Sequence, residues 1–411
     1  MGTLGGQFRN RSVAQLAAVR RRLGLDAGPF SPARSQRFDE EWIPRGLAPF
    51  GFERSRRKGF GSVEQLPTDL RVDNFRRYVQ RWQGITAGPR DVLDPVLTRW
   101  LVRASACGTP VISVSPDCVG DEIPSLVRTL WGEGLPTEPE AWARLTYQQW
   151  AAVHDTFAPT DSLPEVTITL ATRRPAYVDL WLPQIVRQKH RSLQVVVVLH
   201  DPGFSGVTQE RIRHELENAG IQVDIVTVDP TQSLGAALDA ARRRAEGDVI
   251  LKWDDDDLYS SMHVVDMLRA RRYSGASLVG KACDFVYFAD QDVTIRRHQA
   301  DREAWSPTLS GNTLMIDRTV LDEVGGWANT SLGEDAELIS RVRRYGCNTY
   351  RTVGYGMIAI RNAESGCHTW QISSDTPDRK SHWQGLAVDE ALVDAPTSIT
   401  DAVRRRARGE R

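Results

Sequence analysis

Four consecutive carboxylates, Asp254-Asp255-Asp256-Asp257, follow the apolar run Val249 to Trp253. Adjacent acids repel one another, so a folded chain tolerates them only where solvent, hydrogen bonds or a cation compensates the charge. A hard divalent cation is the economical solution, because magnesium or manganese binds through one or two carboxylates and completes its shell with water and phosphate oxygens. The bland alternative is an acidic surface turn or a helix N-cap, a role open to Asp257 ahead of a helix beginning near Ser260. A second acid pair stands in Gly333-Glu334-Asp335. There the glycine lets backbone approach a ligand closely, and the two acids open a helix whose positive end favours their ionised forms. A plain pair of capping acids is the competing account. His368, after Gly366-Cys367, offers an imidazole that suits manganese when neutral and phosphate when charged, or else packs beside Trp370.

The segments around these residues are regular. Apolar runs at Val166 to Leu170, Leu193 to Leu199, Ile221 to Val228 and Val249 to Trp253 read as strands, with Ala176 to Lys189, Gln209 to Ala219 and Ser233 to Ala245 as the helices between them. Such alternation predicts an α/β fold with a mostly parallel central sheet. Ligands of such sheets lie beyond the carboxyl ends of the strands, where the aspartate run begins. Upstream, Asp94-Pro95 is an N-cap with proline at the first helical position for a helix over Val96 to Ala106. Pro110 to Val114 reads as a buried strand, and Glu138 to Phe157 as a helix with Trp142, Leu145, Trp150, Val153 and Phe157 on one packed face. Ala158 to Pro164 reads as a linker. The chain thus divides into a basic N-terminal extension over 1–90, a smaller accessory α/β module over 91–160, a ligand-binding α/β domain over 161–375 and a polar, basic tail over 376–411. The last stretch, Arg404 to Arg411, is a frayed helix or a solvated tail.

Composition narrows the function classes. In 411 residues, 52 basic and 53 acidic side chains leave a formal charge of −1, so no global field points to nucleic acid. Cys107, Cys118, Cys283, Cys347 and Cys367 have no C-x-x-C spacing and are odd in number, which argues against a disulfide framework or a zinc ribbon and fits a reducing cytoplasm. No apolar run approaches the ~20 residues needed to span a bilayer, and MGTLGGQFRNRS does not read as a signal peptide. A cytoplasmic protein with at most peripheral membrane contact is expected, and a homodimer is allowed.

From about Pro164 to Ser374 the chain resembles the inverting family 2 glycosyltransferases of the GT-A fold. The resemblance rests on Thr169-Leu170-Ala171-Thr172-Arg173-Arg174-Pro175, Ser233-Leu234-Gly235-Ala236-Ala237-Leu238, Lys252-Trp253-Asp254-Asp255-Asp256-Asp257, Gly325-Gly326-Trp327, Gly333-Glu334-Asp335 and Cys367-His368-Thr369-Trp370, taken in this order. It implies a nucleotide-sugar donor, with a UDP-sugar favoured, and a Mn2+ or Mg2+ ion held through a D-x-D element. By the same resemblance Asp254 contacts the donor and Asp256 holds the metal, with Asp255 competing for that place and Lys252 beside them. Thr172 and Arg173 fall where the family binds the nucleoside, and Asp201 stands in for its base-reading aspartate. Asp335 becomes the general base, Glu334 an acceptor or positioning contact, and His368 completes the metal or diphosphate site. Trp327 is an acceptor platform or a buried anchor, and Asn312 lines the acceptor side. The acceptor itself, whether glycan, lipid-linked glycan, peptide or small molecule, is not implied.

Arg99 to Ser113 resembles the helix, turn and strand of the nucleotide-binding half of GT-B glycosyltransferases, but Arg103 stands where that family carries a ribose-binding glutamate. An accessory role follows, since a fold fragment does not carry function. Two other readings compete for the main domain. A sugar nucleotidyltransferase would want a Gly-rich basic loop after the first strand, where Thr172-Arg173-Arg174-Pro175 lacks glycine. A non-catalytic nucleotide-sugar scaffold would have no need of Glu334-Asp335.

Overall fold

The computed structural model describes residues 60–62, 84–86, 93, 95–134, 136, 139–157, 163–297, 303–362, 379–385 and 393–409. The expected N-terminal extension lies largely outside the described residues, and His368 lies wholly outside them. The chain is α/β and falls into two compact units, one from Ala27–Asp161 with Arg272–Gly275, the other including Ser162–Arg271 and Ala276–Arg411.

In the first unit, strands β1 (Phe60–Ser62), β2 (Gly84–Thr86) and β3 (Val111–Ile112) pair in parallel in that order. Helices α1 (Pro95–Ala106), α2 (Ser125–Gly132) and α3 (Pro139–Phe157) accompany them. Leu101, Val102, Val111, Trp131, Leu145 and Val153 form its core. Gln149 of α3 serves as a side-chain extension of the sheet. It accepts from the Val111 N–H at 2.9 Å and donates to the carbonyls of Val111 at 2.7 Å and Leu130 at 2.8 Å. These bonds satisfy β3 backbone groups that burial would otherwise leave at a cost.

The second unit is built on an eight-stranded sheet. Strands β4 (Val166–Thr172), β5 (Leu193–Leu199), β6 (Gln222–Thr227) and β7 (Val249–Trp253) supply its parallel half, in the order β7-β4-β5-β6. β5 is an unbroken buried run, as expected of a strand covered on both faces. Helices α4 (Val178–Val186), α5 (Gly206–Asn218) and α6 (Leu234–Arg242) make the crossovers. Ser205 and Ser233 cap α5 and α6, accepting from the N–H groups of Thr208 at 3.2 Å and Ala236 at 3.1 Å.

After β7 the chain makes the short strand β8 (Leu258–Tyr259), helix α7 (His263–Ser274) and strands β9 (Leu278–Lys281), β10 (Phe285–Phe288), β11 (Val293–Arg297) and β12 (Ala304–Trp305). Strand β13 (Met315–Asp317) leads into α8 (Arg318–Glu323) and α9 (Glu334–Arg344), followed by β14 (Thr349–Thr352), β15 (Met357–Arg361), β16 (Arg379–Gln384) and α10 (Thr397–Ala407). The large sheet is completed in the order β12-β14-β9-β13-β7, and a second sheet runs β16-β11-β10-β15-β8. Four of the seven pairings in the large sheet are parallel. Among the described residues no helix is long and apolar enough to cross a membrane.

The end of α4 grips the chain where it leaves the aspartate run. Buried Gln184 donates to the Asp257 carbonyl at 3.2 Å and accepts from the Tyr259 N–H at 2.7 Å. Arg187 donates to the Tyr259 carbonyl at 2.5 Å and to the carbonyls of Val393 at 2.9 Å and Asp394 at 2.8 Å, just ahead of α10. The C-terminal segment is thus a regular helix in this unit, with Ile399, Val403 and Ala407 buried. Replacing Arg187 by Met keeps the stem and strands three carbonyls, so the unfolding free energy should fall by about 2 kcal/mol. A urea midpoint equal to wild type would show that this junction carries no stability.

Candidate functional site

Strands β4 and β7 run parallel with Leu170 opposite Trp253, so their carboxyl ends open on one edge of the sheet. Thr172, Arg173 and Arg174 leave one strand there and the aspartate run leaves the other. Asp255 turns inward. It accepts from the Thr172 hydroxyl and from the Arg174 guanidinium, whose Nε lies 3.1 Å away. Arg174 also reaches Asp256 Oδ2 at 3.0 Å and lies over the Tyr177 ring at 4.4 Å. Burial pushes the Asp255 carboxyl up against the opposing pull of Arg174. Burial would lower the Arg174 pKa, but Asp255 and Asp256 outweigh it and hold the guanidinium charged.

Asp254, Asp256 and Asp257 form a separate group, with one carboxylate oxygen from each within 4.8 Å of the others. Three hard oxygens at that spacing fit a magnesium or manganese ion. Asp256 belongs to this group and Asp255 does not. Asp257 is not a helix cap. Its carboxylate accepts from the Asn312 side-chain amide and from the Ile360 N–H at 2.9 Å. Burial, reinforced by Asp256 and opposed by Arg361, pushes it up to about 7. Tyr259 fixes the start of the run, accepting from the Asp254 N–H at 3.3 Å and donating to the Asn312 carbonyl at 2.9 Å.

Lys252, one residue before Trp253, is buried beneath the site. Its ammonium lies 2.8 Å from Asp254 Oδ1 and 3.5 Å from Asp335 Oδ2. Burial would lower its pKa, but Asp254 and Asp335 together raise it, so it stays charged. Asp335 sits in the first turn of α9, after Gly333 at a left-handed φ of 74°. Its Oδ1 is buried and has no hydrogen-bond partner. Burial, opposed by Lys252 and reinforced by Glu334, pushes the Asp335 carboxyl up to about 6. Gly311 faces it so closely that a Cβ there would come within 1.8 Å of Asp335 Oδ2.

These groups border a cavity of about 1080 Å³. Thr172, Arg173, Asp254, Asp255, Asp256, Asn312 and Asp335 all line it. Arg173 is exposed but tethered. Its guanidinium donates to His200 Nδ1 at 3.1 Å and to the carbonyls of Pro230 at 3.1 Å and Gln232 at 2.9 Å. Burial and the Arg173 charge lower the His200 pKa and favour the neutral ring that accepts this bond. Glu334 is buried at the start of α9 and does not line the cavity. Asp201 stays outside the lining and closes its own turn, accepting from the Gly203 N–H at 2.7 Å. Trp327 lies in the core with Leu238, Leu321, Leu338 and Val342, behind two glycines at φ of 86° and 74°.

Several lining residues are given no role by the sequence. Arg174 could have been found, because a doublet leaving a strand sends its two side chains to opposite sides and one of them meets the aspartates. Arg297, Arg351 and Arg361 could not, since they come from three strands of only four or five residues.

No protein-family model matches the chain, and no curated protein matches it. Among solved structures it is similar to the mannosyltransferase PcManGT from Pyrobaculum calidifontis in complex with GDP-Man and Mn2+, at 17% identity over 50% of this chain and 59% of that one, with a TM-score of 0.40. It is also similar to S. aureus TarS 1-349 in complex with UDP-GlcNAc, at 14% identity over 51% of this chain and 62% of that one, with a TM-score of 0.39. The chain spans about three fifths of each of these proteins. At such scores neither bears on the chemistry of this site, which its own residues must carry.

A metal titration tests the carboxylate group directly. Followed by the loss of free Mn2+ signal in electron paramagnetic resonance, Asp256→Asn should weaken manganese binding about 10-fold or more, as removal of one charged oxygen ligand requires. Equal affinity in the variant would remove the ion from this group.

Proposed function

We propose that this chain is a metal-dependent, inverting glycosyltransferase of the family 2 type, moving a sugar from a nucleotide-diphosphate donor, with a UDP-sugar favoured, to an acceptor hydroxyl. The observation that carries the reading is the meeting, in one cavity, of the Asp254, Asp256 and Asp257 group with the Asp335 carboxyl, which is raised to about 6. The sequence resemblance likewise assigns Asp256 to the metal and Asp335 to the base, while it assigns Asp254 to the donor.

In this reading Asp254, Asp256 and Asp257 hold Mn2+ or Mg2+, and His368 adds to that site. Bound there, the ion supplies neutralising charge for the departing diphosphate. Thr172 and the anchored Arg173 border the nucleoside side, and Asn312 borders the acceptor side. Asp335 takes the proton of the acceptor hydroxyl as that oxygen attacks the anomeric carbon. The bond from that carbon to the phosphate oxygen breaks as the new one forms, and the diphosphate leaves with the electron pair. One displacement inverts the centre. Lys252 contributes by position, since one ammonium fixes both Asp254 and Asp335 and so sets the distance between metal group and base.

A raised carboxyl pKa also suits a base that must hold and release a proton near neutrality. Because the base works ionised, transfer should rise with pH through about 6 and level off above 7. With manganese and a panel of UDP-, dTDP- and GDP-sugars, slow hydrolysis of one donor is expected, and Asp256→Asn should abolish it. Activity that survives both chelation and that substitution would exclude the metal role. Asp335→Asn should retain donor binding and lose transfer by about 100-fold or more. Loss of donor binding instead would make Asp335 a donor ligand.

A further inference from the structure

The cavity wall away from β4 is basic. Arg297 of β11, Arg351 of β14 and Arg361 of β15 line it. All three come from strands that pair with β9 or β10. Arg351 pairs with Gly280 in β9, and the Arg297 N–H donates to the Asp284 carbonyl at 2.6 Å. Burial pushes the Cys283 thiol, in the link between β9 and β10, up to about 11 against the pull of Arg297 and Arg361, which places both guanidiniums near it.

Most carboxylates of the site draw compensation from the other direction, Asp257, which feels Arg361, being the exception. Arg174 serves Asp255 and Asp256, and Lys252 serves Asp254 and Asp335. A donor diphosphate paired with a divalent ion is close to neutral, so it makes little demand on the arginines of the basic wall. Sheet order separates the two sides. β4, with the nucleoside-side residues, lies beyond β7, whereas β14 lies on the far side of β13 and β9.

The chain also links the base to the basic wall. Gly311 abuts Asp335, the Ser310 N–H donates to the Lys281 carbonyl at 3.3 Å, and the Thr308 hydroxyl accepts from Arg351 at 3.2 Å. A molecule presenting its hydroxyl to Asp335 and extending along 308–311 therefore reaches Arg351. Guanidinium groups match carboxylate and phosphate in charge and in planar, two-point geometry.

We propose that Arg297 and Arg351, with Arg361 closing the wall toward Asp257, bind an anionic group of the acceptor, so that the acceptor is a hydroxyl compound carrying phosphate or carboxylate. This rests on the glycosyltransferase reading and adds the acceptor's chemical class to it.

The test is calorimetric titration of the full chain with glucose, glucuronate and glucose 6-phosphate, at saturating UDP and Mn2+. At least one anion should bind about 10-fold or more tightly than glucose, the discrimination one charge-assisted contact supplies. The tighter anion identifies carboxylate or phosphate as the preferred group. Arg297→Gln and Arg351→Gln should each bring the anion-to-glucose ratio toward one, while Arg351→Lys, which keeps the charge at a buried position, should preserve part of it. A ratio near one in the wild type, or one unchanged in both glutamine variants, would overturn the proposal. A parallel fall in UDP affinity in both variants would also overturn it, by assigning the guanidiniums to the donor diphosphate. Absence of UDP and Mn2+ binding in the wild type is a different failure, of the glycosyltransferase reading itself, and the acceptor assignment falls with it.

Discussion

The cost of crowding four carboxylates at the end of a buried strand governs the architecture of this site. Like charges at adjacent positions cannot all be desolvated unless each finds its own compensation. The chain meets this by sending them in different directions. Asp254 takes Lys252, Asp255 takes Thr172 and Arg174, Asp256 shares Arg174, and Asp257 takes an amide and a backbone N–H. The run is therefore two devices. Asp255 is an internal tie between β4 and β7, and breaking a buried pair of that kind by removing one partner typically costs about 3–5 kcal/mol. The other three leave their oxygens together on the cavity side.

That division depends on backbone held from several sides. Parallel pairing of β4 with β7 brings Arg174 and Asp255 to one edge. Gln184 of α4 holds the backbone on both sides of Leu258, and Tyr259 ties Asp254 to Asn312. Asn312 in turn holds Asp257, so the 310–312 turn that faces Asp335 also sets the far end of the aspartate run. Base and carboxylate group are thus positioned by one connected set of buried polar contacts, in which a loose member would unsettle the rest.

How much of this could be read from the sequence depended on the length and isolation of each signal. The parallel half was legible because Leu193 to Leu199 and Val249 to Trp253 are apolar but for one residue each, with capped helices between them, and the strands begin and end close to those runs. Gly333-Glu334-Asp335 announced a helix start, and α9 begins at Glu334. The later strands, two to six residues long, leave no periodicity to find, and so the arginine wall they build was invisible. Gly325-Gly326-Trp327 was ambiguous for another reason. Left-handed glycines and a large aromatic suit a ligand platform and a tight corner with a core anchor equally, and only packing against Leu321 and Leu338 separates them.

The N-terminal unit shows the same rule from the opposite side. At the position where the GT-B resemblance would require a ribose-binding acid, Arg103 is 1% exposed, with its guanidinium 5.1 Å from the centre of the Trp100 ring. A ligand-binding side chain must open on solvent or a cavity, and a long cation stacked on an aromatic within the core does neither. The helix and strand that carry it are instead stitched to α2 and α3 through Ser105, Trp131 and Gln149. A packed arginine at this position therefore contributes to the cohesion of its own unit. The cavity that holds the aspartate run and Asp335 is lined entirely by residues of the other unit.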